Sequence, residues 1–263
     1  MVTPLEEVEF LARSEYRVEV LELLHGTPRE YSDLRAGTPA SNATVHRILS
    51  EFRDRGWVRR TRREYELTVP GTFVVETFDD VLTRIAAETR LRGIWQWIPA
   101  GFLDDDLEPY RDAVVTTASP SDPFVADERC ASFLRQTSTL RGFDAVVSSP
   151  RSVRVLAERI LDGLAVEFIV TPAVIERLEE SYPETYRTVT ASDHFTLWSN
   201  GDLPLVQLMI FDDRVGIGGY DDRTGKLAVY VDTDDSAVRD WAIATVEEQR
   251  DGATVAGATR PLA

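Results

Sequence analysis

Between Ser41 and Arg63 the chain carries seven arginines (Arg47, Arg53, Arg55, Arg59, Arg60, Arg62 and Arg63) against two acids (Glu51 and Asp54). That local balance of +5 sits in a chain of net charge −16. A guanidinium is planar, permanently charged and forks onto phosphate or the guanine edge, so such an island suits a polyanion. Short polar groups lead into it: Ser41, Asn42, Thr44 and His46. At a helix start, groups of this kind reach base edges in a major groove. Arg47 there matches guanine and Asn42 adenine, while backbone N–H groups near Ser41 suit a phosphate. Arg53, with Arg59, Arg60, Arg62 and Arg63 further on, completes the set, the last four suited to phosphates or a minor groove. The alternative is a solvated charged face.

These groups need a scaffold. Leu5, Val8, Phe10 and Leu11, then Val18, Val20, Leu21, Leu23 and Leu24, follow a helical pattern up to His25-Gly26. Gly26-Thr27-Pro28 is a turn, Tyr31–Arg35 a short helix, and Gly37-Thr38-Pro39 its break. Ser41 then caps a helix that buries Val45, Ile48, Leu49 and Phe52 and ends at Gly56. Its opposite face holds Ala43, Arg47 and Ser50, flanked by Thr44 and His46. Trp57-Val58 opens a hairpin that Tyr65–Thr68 closes, and strand alternation lets only some of its arginines face one partner. Helix, short helix, turn, helix and β-hairpin is the order of a winged helix-turn-helix.

Residues 1–70 hold 11 basic and 12 acidic side chains, whereas the remaining 193 hold 18 and 33. This shift places a domain boundary near Pro70-Gly71. A connecting helix over 71–92 has Val74, Phe78, Val81, Leu82 and Ile85 on one stripe, suited to core packing or to a dimer. Over 93–263, strands Ala113–Thr116, Phe143–Ser148 and Ala165–Val170 alternate with helices Ala126–Leu140, Ser152–Leu161 and Ala173–Ser181. That alternation argues for an α/β domain with a largely parallel sheet. Strands Phe195–Trp198, Leu205–Phe211, Arg214–Gly218 and Lys226–Val231 then follow through short turns, before a helix over Ser236–Arg250. The expected fold is an α-rich winged helix-turn-helix followed by a larger α/β domain with a mixed sheet.

Other chemistries fit less well. Open α/β sheets bind ligands beyond the carboxyl ends of their strands, which makes Ser119, Ser148, Ser149 and Thr171 candidate effector contacts. Helix capping by the same residues is the plainer role and the favoured one. Phospholipase D-like hydrolysis needs a His-x-Lys pair. The single lysine, Lys226, follows Thr224 at that spacing, and His194 is followed by Phe195-Thr196. Gly216-Ile217-Gly218-Gly219 lacks the spacing and following helix of a dinucleotide loop. The acidic pairs fit no EF-hand, and Ser192-Asp193-His194 would point to opposite faces of a strand. Cys130, alone, forms no disulfide within the chain and reads as a buried thiol. No catalytic residue, metal or cofactor is expected.

The absence of a long apolar run and the acids near the N-terminus favour a cytoplasmic chain without a membrane span. Acid excess, with arginine nearly replacing lysine, is similar to halophilic archaeal proteins, whose acids serve solubility in molar salt.

The run TPASNATVHRILSEFRDRGWVRR resembles the recognition segment of archaeal winged-helix regulators of the ArsR, MarR and TrmB kind, through Thr44–Arg47 and Arg55–Val58. The run from Leu203 to Ala253 resembles the archaeal methanogenesis-regulatory-protein (filamentation regulator) domain. Leu203-Pro204-Leu205, Phe211-Asp212-Asp213, Gly216–Tyr220, Val231-Asp232-Thr233 and Trp241-Ala242 carry the match, and Asp144–Leu178 fits the same domain. The resemblance implies a haloarchaeal transcriptional regulator whose C-terminal domain senses or assembles. The expected partners are double-stranded DNA, a second copy of the chain and a small-molecule effector. The alternative is a winged helix that binds a partner protein.

Overall fold

The computed structural model describes residues 3–103, 106–147 and 149–257. The chain divides into two compact units, Met1–Ile85 and Ala86–Ala263.

In the first unit, α1 (Pro4–Ala12) starts at a capping box in which Thr3 and Glu6 satisfy each other's backbone N–H groups. The helical pattern is broken at Ser14, whose extended backbone caps α2 (Glu15–Leu24). A two-residue strand β1 (Arg29–Glu30) leads into α3 (Tyr31–Ala36), and α4 (Asn42–Asp54) follows. Ser41 caps α4 by accepting the Thr44 N–H at 3.2 Å, and Gly56 ends it in the left-handed region at φ +71°. Strands β2 (Val58–Thr61) and β3 (Glu64–Leu67) form a hairpin, and β1 adds to the far side of β3. Val45, Ile48, Leu49 and Phe52 of α4 meet Leu21, Leu24, Leu34 and Trp57 in the core. Pro70-Gly71 lies inside α5 (Val69–Leu91), and the units part later in that helix. Val75 and Phe78 of α5 are buried, whereas Phe73, Val81 and Ile85 are 69%, 42% and 55% exposed.

The second unit is built on an eight-stranded mixed sheet of order β11-β7-β6-β5-β8-β9-β10-β4. In chain order its strands are β4 (Val114–Thr117), β5 (Thr139–Asp144), β6 (Ala165–Val170), β7 (Phe195–Ser199), β8 (Val206–Ile210), β9 (Val215–Tyr220), β10 (Leu227–Thr233) and β11 (Thr254–Gly257). Helices α6 (Val125–Leu134), α7 (Pro150–Leu161), α8 (Pro172–Ser181) and α9 (Pro183–Thr190) pack a core with Val166, Phe168, Leu197 and Met209. Helix α10 (Ser236–Asp251) belongs to a second core with Phe143, Ile169, Leu208 and Ile217. Along β5, β6 and β8 alternate residues therefore serve different cores, as a sheet buried on both faces requires.

Several expectations are corrected here. Only β5, β6 and β7 are parallel, and β4 lies antiparallel to β10 at the sheet edge. The helix expected to reach Leu140 stops at Leu134, because the Thr139–Asp144 backbone is taken by the ladders to β6 and β8. Helix α9 and strand β11 were not anticipated. The glycine cluster lies within β9. A Cβ on Gly216 would stand 1.8 Å from the Tyr230 hydroxyl, so glycine admits that ring.

Buried ion pairs lock the sheet. Arg129 forks onto Asp232 at 2.8 and 2.9 Å, and Arg214 adds a third bond at 2.9 Å. Buried Glu167 takes Arg141 at 3.3 Å and Arg250 at 3.2 Å. In the β8–β9 turn, Asp212 accepts the Ser138 N–H at 2.7 Å, the Thr139 N–H at 2.8 Å and the Thr139 hydroxyl at 2.6 Å. Burial pushes this carboxyl up, but the hydrogen bonds from Thr139, Ser138 and Thr137 outweigh it and hold its pKa down to about 2. The folded value lies below the unfolded one, so the stabilisation is present above about pH 4 and fades as pH falls towards 2. Asp212→Asn is expected to cost about 1 kcal/mol at pH 7, screened as an exposed carboxylate is. Urea melts of parent and variant at pH 7 and pH 2 check this. An undiminished gap at the lower pH would rule out the charge as the cause.

Candidate nucleic-acid interface and effector cavity

The exposed face of α4 carries Asn42, Ala43, His46, Arg47 and Ser50, with Ser41 exposed at its cap and Thr44 half-buried. Packing fixes part of this face. The Asn42 amide oxygen accepts from Arg35 Nε at 2.6 Å, and the His46 ring stacks on Tyr31 with centroids 4.3 Å apart. Two other arginines are structural: Arg17 and Arg55 lie 3.9 and 3.5 Å over the Phe10 ring and pair with Glu51 and Glu7. By contrast Arg47, Arg53, Arg62 and Arg63 are exposed and make no ion pair among the described residues.

The hairpin separates its four arginines. Arg59 bonds Glu66 across the strands at 2.9 Å, and Arg60 stands 5.5 Å from the Tyr65 ring. Arg62 and Arg63 form the two-residue tip between Thr61 and Glu64. Arg62 holds φ +59°, the one non-glycine residue in the left-handed region among those described. An arginine gains nothing locally from that conformation.

The second unit contains a cavity of about 320 Å³ between the sheet and helices α6 to α9. Its wall is mainly apolar, including Phe168, Leu178 and Phe195. At one end Asp144 accepts the Tyr220 hydroxyl at 2.7 Å and the Gln207 amide at 2.7 Å. Burial and the neighbouring Asp144 push the Tyr220 hydroxyl well above its ordinary pKa. Asp127 also lines this space; burial raises its carboxyl, and a Ser149 hydrogen bond only partly opposes this. Cys130 is buried beside Gln207 and Met209, and burial pushes its thiol up to about 12, so it is inert. A register shift in β10 between Leu227 and Val229 puts Leu227 and Tyr230 in the same core and turns Lys226-Leu227 onto the cavity.

Residues 123–252 match the methanogenesis regulatory protein FilR1 middle domain, and residues 5–90 match the HVO_A0261 N-terminal domain. About half of the chain is thus similar to the middle domain of that regulatory protein. No curated protein matches it. Among solved structures, the archaeal chromatin protein TrmBL2, described as showing a novel mode of DNA binding, is 14% identical. That match covers 94% of this chain and 98% of the other at a TM-score of 0.43. The phospholipase D family member Nuc from Salmonella typhimurium is 11% identical over 56% of this chain and 99% of its own, with a TM-score of 0.42. NucT from Helicobacter pylori is 12% identical over 54% and 98%, with a TM-score of 0.43. Scores this low do not establish a shared fold.

In the second unit, the four residues at strand ends separate. Ser149 lines the cavity and caps α7 through the Ser152 N–H at 3.3 Å. Thr171 caps α8 through the Val174 N–H and does not line the cavity. Ser119 sits in a turn with Ser121 and Asp122, after a strand separated from β5 by three others. Ser148 lies outside the described residues. Sequence reasoning missed Asp127, Asp144, Gln207, Tyr220 and Lys226. A signal existed for one of them: Gln207 interrupts the otherwise apolar strand Val206–Ile210. Among the described residues no His, Cys, Asp and Glu group could hold a metal, and no helix is long and apolar enough to cross a membrane.

The strain at the hairpin tip can be measured. Arg62→Gly is expected to raise stability by about 0.5–1 kcal/mol by relieving the left-handed conformation. Thermal melts check this, and a loss of stability would mean that the arginine side chain has a folded-state role.

Proposed function

We propose that this protein is a sequence-specific, DNA-binding transcriptional regulator. In this reading residues 1–70 form a winged helix-turn-helix, 71–92 a connecting dimer element and 93–263 an effector-sensing domain. The observation that carries it is the division of arginines in the first unit. Arg17 and Arg55 are consumed by packing and ion pairs, while Arg47, Arg53, Arg62 and Arg63 stay exposed without an acid. Helix α4 enters the major groove, where Arg47 reads a base edge beside Ser41, Asn42, Thr44 and His46. Arg59, Arg60, Arg62 and Arg63 meet phosphate or a minor groove. The protein acts without catalysis, in the cytoplasm of a halophilic archaeon.

Salt sharpens the mechanism. At 1 M salt the screening length is roughly 3 Å, and binding by counterion release weakens steeply. Direct contacts must then supply more of the affinity, and a dimer doubles them by placing two recognition helices on a palindrome. The exposed apolar residues of α5, Phe73, Val81, Leu82 and Ile85, suit such a contact.

Selection of bound duplexes from random DNA at about 2 M KCl, where the screening length is a few ångström, tests the reading. A recovered palindrome is expected. Arg47→Ala should weaken binding roughly ten- to a hundredfold and relax one base position, whereas Arg60→Ala should weaken all sequences alike. A folded protein that enriches no sequence with or without effector would point instead to a winged helix that binds protein. The dimer has its own check: Ile85→Asp should give a monomer by light scattering, and an unchanged dimer would place the contact elsewhere.

A further inference from the structure

The cavity of the second unit has a composition that selects its ligand. The chain has 28 arginines and one lysine, yet no arginine lines this space. Its charged lining residues are Asp127, Asp144 and Lys226. Lys226 is exposed, with its ammonium 5.8 Å from the Phe124 ring. The carboxylates lie inward. Asp144 is 2% exposed and is held in place by the Tyr220 hydroxyl and the Gln207 amide. Asp127 is half-buried and makes no ion pair among the described residues. Cys130, one turn along α6 from Asp127, lies 3.6 Å from Gln207, and Gln207 bonds Asp144, so both carboxylates lie towards one end of the cavity.

Aromatic faces complete the lining, with Phe124, Phe168, Tyr182, Tyr186, Phe195 and Tyr220 around the space. Ring faces and carboxylates both attract cations. An apolar void of roughly 150 Å³ already holds benzene, so this one admits a longer hydrocarbon body. An anionic head would face two carboxylates and find only the exposed lysine. A neutral alcohol could bond the Asp127 carboxylate but would bring no counter-charge to it.

We propose that this cavity binds a lipophilic amine, with its ammonium at Asp127 and Asp144 and its hydrocarbon body among Phe168, Leu178 and Phe195. The inference rests on the reading of the second unit as an effector-sensing domain, and it names the chemical class of effector. Regulation would follow if this occupancy changed DNA affinity, but binding itself needs no DNA.

The test uses the full chain and three probes with one eight-carbon body: octylammonium, octanol and octanoate. Titration calorimetry and thermal shift in the salt that keeps the chain folded are expected to rank octylammonium first, at least tenfold tighter than either of the others. Asp127→Asn should weaken octylammonium on the order of tenfold while leaving octanol unchanged, because one ion pair is lost. Equal or tighter binding of octanol or octanoate would overturn the proposal, as would binding of none of the three. An Asp127→Asn variant that keeps the full amine preference would overturn it too. Ala157→Leu, which fills the wall without touching a charge, supplies a second check: it should abolish the octylammonium shift, and an undiminished shift would place the amine outside the cavity. Because these measurements contain no DNA, failure here leaves DNA binding untouched. Amine binding without any change in operator affinity would instead overturn the sensing role alone.

Discussion

Where the arginines go is the constraint on which this molecule depends. With 45 acids against 29 basic residues, like-charge repulsion opposes every compact arrangement. A carboxylate removed from water needs a cation or several hydrogen-bond donors. Asp232 and Glu167, both buried in the sheet, each take two arginines. Their partners come from distant parts of the chain, so the pairs also fix which strands and helices meet. Removing one arginine would leave a buried charge short of a partner, which costs far more than a surface pair contributes. Against this demand, the unpaired arginines of α4 and the hairpin tip stand out. The fold has acids enough to engage them and leaves them exposed.

The same logic explains what the sequence makes legible. In the first unit the signals are local: Ser41 caps, Val45, Ile48, Leu49 and Phe52 repeat at helical spacing, and Gly56 supplies a left-handed stop. Such signals can be read directly, and the charge contrast sits on top of them. Even so, the break at Ser14 hides within a continuous helical pattern. In the second unit the decisive interactions are distant in sequence. Thr139–Leu140 reads as the end of a helix until the ladders to β6 and β8 claim it. Two partners of Asp144, Gln207 and Tyr220, come from β8 and β9, more than sixty residues further on, and periodicity carries no trace of that pairing. Ser149 and Thr171 were readable as helix caps, and that is the local role they play, with Ser149 also at the cavity wall.

The cavity is where stability and use conflict most plainly. Apolar voids cost roughly 24 cal/mol per Å³ where nothing fills them. The space here is about 320 Å³ and partly open, so only its enclosed part carries that cost. One larger side chain on α7, as at Ala157 in the cavity wall, would recover part of it. Instead the surrounding structure holds the space open. The Asp144–Gln207–Tyr220 cluster spans β5, β8 and β9 at one end, and the irregular register of β10 turns Leu227 inward at the rim. The sheet supplies the polar end, and helices α8 and α9 line the apolar side. An occupant stabilises the state it binds by mass action. A domain that leaves this much apolar surface unfilled is thus more responsive to an occupant than a fully packed one.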